Sequence, residues 1–99
     1  MFRVALLGAC VAATPLAAQS FEAPTRIKAG EKFAGHELGG RDRLYPSPAL
    51  HDLDGDGKRE IVIGDLFGGL TYLSPTKDGW GEEKVLNGAD GKPLKFNNW

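Results

Sequence analysis

A small all-β protein, an antiparallel meander preceded by an extended N-terminal arm, is the fold the sequence predicts. Glycine and proline supply 14 and 6 of the 99 residues, glycine at about twice its usual ~7% share. That composition favours turns and short strands over long helices. The run Glu60-Ile61-Val62-Ile63-Gly64 places three β-branched residues in succession, which suits the pleated surface of a strand. The length allows one domain at most.

The first 18 residues read as an address label. Arg3 and the α-amino group make the start basic, and no acid occurs before Glu22. Residues 4–18, VALLGACVAATPLAA, are uncharged and mostly apolar. They fall short of the ~20 residues a membrane span needs. A basic start, a short apolar core and a small-residue exit form the pattern of a secretory signal peptide. Cleavage is expected before Gln19, with a cut before Phe21 as the second choice. Leu7-Gly8-Ala9-Cys10 looks like a bacterial lipobox. However, only residues 4–9 would then form the apolar core, fewer than the ~7–15 that such cores contain. Cys10 is therefore read as a small apolar residue of the removed segment. As the sole cysteine, it also excludes a disulfide framework and a cysteine-based zinc site.

Residues 19–45 form the expected arm. Thr25-Arg26-Ile27-Lys28 alternates like a short strand and Ala29-Gly30 stops it. Gly35, Gly39 and Gly40 argue against a helical turn over residues 31–38. From residue 46 the character changes. Ala49-Leu50-His51 is a brief apolar run before an acidic loop, and residues 60–64 are the strongest strand. Asp65-Leu66-Phe67-Gly68 is a turn, residues 69–73 a second strand, residues 74–81 a polar loop and residues 82–86 a third strand. After a turn at Asp90-Gly91, residues 94–96 form a weak last strand. Side chains alternate across a strand, so Ile61 and Ile63 share one face and Val62 the other. With apolar groups on both faces, the meander needs cover on both sides, and the arm is the candidate for one of them.

The acidic loop carries the chemistry. Residues 52–60 read Asp52-Leu53-Asp54-Gly55-Asp56-Gly57-Lys58-Arg59-Glu60. Acids at loop positions 1, 3, 5 and 9, with glycine at 6, suit a hard cation held by oxygens, and Ca²⁺ takes about 6–8 of them at ~2.3–2.6 Å. Gly57 permits the sharp turn, the Lys58 carbonyl would be the backbone ligand, and Glu60 could close the shell. Carboxylates this closely spaced repel one another unless a cation neutralises them. The opposing reading is an acidic surface turn, since Asp-Gly is a common turn former. An EF-hand is excluded because position 12 is Ile63, inside the best strand, and because Pro46 and Pro48 stand where its first helix would be.

Residues 46–73, PSPALHDLDGDGKREIVIGDLFGGLTYL, resemble the FG-GAP/VCBS-type repeat, a calcium-loop blade of secreted and surface β-propellers. The shared elements are a strand before the acids, Asp-x-Asp-x-Asp-Gly, a β-branched strand with a Gly-Asp exit, and a glycine-led second strand. The resemblance implies one four-stranded blade over residues 46–99, complete by about Leu86. It also implies a Ca²⁺ site made by Asp52, Asp54, Asp56, the Lys58 carbonyl and Glu60. Glu60 stands where such repeats commonly carry Asp, and one repeat is present where propellers close with about 4–8 blades.

The remaining residues point elsewhere or nowhere. A net charge of −1 without a Lys/Arg cluster argues against a nucleic-acid binder. His36 and His51 lack zinc-ligand spacing and read as surface or strand residues. Asp65 reads as a turn acid or a residue behind the cation's ligands, and Arg41 and Arg43 as a solvated pair. Trp80, Tyr72 and Trp99 read as core or edge cover. No nucleophile elbow or phosphate loop occurs, so no catalytic residue is expected. The expected protein is an exported, calcium-stabilised module with a structural, adhesive or binding role. Its partner would be an extracellular protein or glycan, or further copies of itself. The alternative is an accessory blade of a larger secreted enzyme acting on polysaccharide.

Overall fold

A computed structural model of the chain describes residues 19–97. The expected leader lies outside them, as does Trp99. Among the described residues the fold is all-β. Two hairpins form the N-terminal portion: β1 (Lys28–Ala29) with β2 (Lys32–Phe33), and β3 (Glu37–Leu38) with β4 (Arg41–Asp42). The sheet that follows contains β5 (Ser47–His51), β6 (Glu60–Gly64), β7 (Leu70–Leu73) and β10 (Lys84–Val85). Its order is β10-β7-β6-β5, with every neighbour antiparallel. Between β7 and β10 lies a third hairpin, β8 (Pro75–Thr76) with β9 (Gly79–Trp80).

The arm is more folded than expected. Gly39 and Gly40 have φ of 62° and 77° and form the two-residue loop between β3 and β4. Positive φ at both positions matches the right-handed twist of the flanking strands. The glycines that exclude a helix here therefore make a hairpin instead. The residues expected to be a polar loop, 74–81, also pair as β8–β9.

Register sets the two faces. Ile61 opposes Leu73 and Ile63 opposes Thr71, and these four are buried. Ala29 from β1 completes the core, and Ala34 and Trp80 pack against it. Trp80 is thus core cover, as read from the sequence. Gly35 sits so close that a Cβ there would lie 3.5 Å from Ile63 Cδ1. The arm therefore covers one face, while Val62, Leu70 and Tyr72 on the other stay half-buried. β5 is an edge strand, exposed along its length. Its Pro48 is tolerated because an edge position facing outward needs no donor.

Arg43 fastens the arm to the sheet, which corrects the expectation of a solvated arginine. Its side chain is 1% exposed. Nε donates to Asp65 Oδ2 at 2.9 Å, and one terminal nitrogen donates to Glu83 Oε1 at 2.6 Å and to Thr71 Oγ1. The other terminal nitrogen donates to the carbonyls of Ile63 and Gly69, at 2.9 and 3.3 Å. Glu83 also accepts the Gly35 amide, at 2.9 Å. Burial pushes the Asp65 carboxyl up, but the Arg43 guanidinium and the Gly69 amide outweigh it and hold the group below the usual carboxylate range.

The C-terminal segment crosses the β6–β7 turn, where the Phe96 amide donates to the Gly68 carbonyl at 2.9 Å. Gly68 has φ 80°, and a Cβ there would lie 1.6 Å from the Phe96 oxygen. Gly68→Ala is expected to lower stability by more than about 1 kcal/mol, from positive φ alone before the clash is added; thermal melting measures it. Arg43→Ala leaves the buried Asp65 and the partly buried Glu83 without their cation, an expected loss of about 3–5 kcal/mol. Asp65 fixes the sign of the acid response. A carboxyl lowered on folding adds stability above its unfolded value of about 3.9, lost as pH falls through the lowered folded value. The melting temperature should therefore fall below about pH 4, and Asp65→Asn should remove part of that slope.

Candidate metal centre

The loop between β5 and β6 is built around its own carboxylates. Asp52 Oδ1 accepts the Gly55 amide at 2.8 Å and Oδ2 the Gly57 amide at 3.0 Å. Asp54 accepts the amide of Asp56 at 3.1 Å, and Asp56 that of Lys58 at 2.8 Å. Each aspartate thus caps a turn two to five residues ahead, coiling the chain inward. Gly55 and Gly57 take φ of 75° and 84°, a conformation that disfavours any residue with a Cβ. At the loop's end Glu60 is only 3% exposed, and its Oε2 accepts the Leu53 amide at 2.7 Å. That bond ties the second loop residue to the start of β6.

Of the residues singled out in the sequence, Asp52, Asp54 and Glu60 converge, with one oxygen of each within 4.8 Å of the others. Asp56 stands outside this triad, although its carboxyl is near enough to act on Asp54. Lys58 lies in the same coil. Asp65, expected as a turn acid or a residue behind the cation's ligands, pairs with Arg43 instead. His36 and His51 are exposed.

Charge in the loop is only partly balanced. Burial raises the Asp52 carboxyl, but the Gly57 and Gly55 amides more than offset it and the net displacement is downward. For Asp54 the Asp56 amide pulls downward, yet lost hydration and the carboxyls of Asp56 and Glu60 drive it above its usual value. Among the described residues no lysine or arginine forms a salt bridge to any of these acids.

The donor set fits a hard cation. Oxygens on opposite sides of a Ca²⁺ ion lie about 4.6–5.2 Å apart at its usual bond lengths, and the three converging oxygens, within 4.8 Å of one another, are no farther apart than two such ligands can be. All converging donors are carboxylate oxygens, which suit Ca²⁺ better than metals that favour nitrogen or sulfur. Three carboxylates cannot fill a shell of six to eight; Asp56, the Lys58 carbonyl and water are the groups at hand.

Sequence reasoning missed the Arg43 cluster, whose partners are remote in the chain. The one local signal was Asp65 directly after the strongest strand. Comparisons with protein-family models, with curated proteins and with solved structures found no match.

Proposed function

We propose that the protein is an exported, calcium-binding β-module with a structural or adhesive role, in which the metal serves folding rather than chemistry. The convergence of Asp52, Asp54 and Glu60, to which no lysine or arginine among the described residues forms a salt bridge, is the observation that carries this reading. The leader-like residues 1–18 support export, and an extracellular space supplies the calcium such a site needs. A cation there would offset the part of Asp54's upward displacement that the carboxyls of Asp56 and Glu60 add to lost hydration. It would also lock the hairpin joining β5 to β6, the two strands that flank the loop.

Extracellular calcium modules bind with Kd of about 10⁻⁴–10⁻³ M. At roughly millimolar Ca²⁺, linkage then contributes on the order of 0.4–1.4 kcal/mol. For a domain of this size that shift corresponds to a rise of roughly 2–10 °C in melting temperature. Melting in Ca²⁺ and in EDTA is expected to differ by this amount. Asp54→Ala should remove the difference while leaving the EDTA curve nearly unchanged, because its carboxylate accepts only one exposed amide. Superimposable wild-type curves would sink the proposal.

A further inference from the structure

A second region of the surface is built from three separated segments: hairpin β3–β4, the β6–β7 turn and residues 93–95. They border a solvent-open cavity of about 270 Å³. Leu38, Leu70, Val85 and Leu94 give it apolar walls. Leu38 is held there because Gly69 has no side chain; a Cβ on Gly69 would lie 2.7 Å from Leu38 Cδ2. The third segment is fixed by the bridge between Gly69 and Lys95.

The charges on the lining differ in kind. Arg43 and Asp65 at the base are bonded to each other, and every nitrogen of the guanidinium is engaged by the protein. Arg41 and Lys95 also line the cavity, and among the described residues neither has a carboxylate partner. Asp42 is the one lining acid without a cationic partner among those residues. The Arg41 guanidinium lies over the Phe67 ring, 4.8 Å from its centroid. A cation–π contact of this kind uses none of the guanidinium's N–H groups in a hydrogen bond, and such a group can receive a carboxylate through two parallel bonds.

We propose that this cavity binds a small monocarboxylate with a compact apolar body, its carboxylate on Arg41 and Lys95 and its body against Leu38, Leu70 and Leu94. The volume falls just below the range of about 300–1,000 Å³ typical of drug-sized ligands, which limits the body to a single ring or short chain. A bare inorganic anion would gain nothing from the apolar walls, and a neutral apolar molecule would leave both cations unused. The adjoining cavity gives the contrast. It shares Leu38 and Val85 but is lined by Glu31, Glu37, Glu82 and Glu83 against the single cation Lys32, an excess of acid that repels anions. The proposal stands apart from the metal reading, because none of the loop acids lines this cavity.

The test is a titration of the ¹⁵N-labelled 99-residue chain with sodium benzoate at constant ionic strength, once with Ca²⁺ and once with EDTA. Saturable shifts are expected at the amides of Leu38, Phe67, Gly69 and Lys95 under both conditions. Benzyl alcohol, of the same shape without the charge, should bind at least about tenfold more weakly, the scale of one charge-assisted hydrogen bond. Arg41→Gln and Lys95→Gln, both at exposed positions, should each weaken benzoate by a similar factor with the remaining spectrum unchanged. Absence of saturable shifts up to about 50 mM benzoate, well beyond millimolar affinity, would overturn the proposal. So would equal binding of benzyl alcohol, or wild-type affinity in both variants.

Discussion

Burial of one guanidinium organises the molecule. A charge removed from water is costly unless paired and hydrogen-bonded, and Arg43 meets that condition only when three regions come together. These are the turn after β6 that carries Asp65, Thr71 on β7, and the segment before β10 that carries Glu83. Arg43 itself belongs to the arm, and Gly35, also in the arm, adds its amide to Glu83. Among the described residues the four buried apolar side chains, Ala29, Ile61, Ile63 and Leu73, are few for a domain whose single cysteine allows no internal disulfide. Removing one partner of a buried pair costs far more than the intact pair contributes. The cluster therefore acts mainly by penalising any state in which the arm leaves the sheet.

β6 joins two opposite electrostatic solutions. At its C-terminal end Asp65 is answered by an arginine of the same chain. At its N-terminal end Glu60 meets Asp52 and Asp54, and amide groups supply the compensation. Despite the Asp56 amide, lost hydration and the neighbouring carboxyls of Asp56 and Glu60 keep Asp54 displaced upward, whereas amides lower Asp52 and Arg43 lowers Asp65. Five residues separate a closed electrostatic account from an open one.

Much of this arrangement was legible in the residues. The run from Glu60 to Gly64 is a strand with the bounds its β-branched centre implied, because three such side chains leave little alternative to extended backbone. The odd-numbered loop acids converge in part, with Asp52 and Asp54 coiled by their own Asx turns. Hairpins β1–β2, β3–β4 and β8–β9 were harder to read, since strands of two residues carry no periodicity. Arg43 was misread for a related reason. It sits in a polar, glycine-rich stretch that looks solvated, and its carboxylate partners lie 22 and 40 residues away. Nothing local distinguishes it from Arg41, which stays at the surface.

Pro48 has an effect beyond its own strand. It stands second among the five residues of the outermost ribbon and opposes Ile63. Lacking an amide hydrogen, it interrupts the row of donors that another polypeptide would have to zip onto. Lateral accretion into cross-β fibrils needs an unbroken ladder, and a single imino acid here denies one. Copies of the chain that meet along this edge would do so through side-chain surfaces rather than by extending the sheet there.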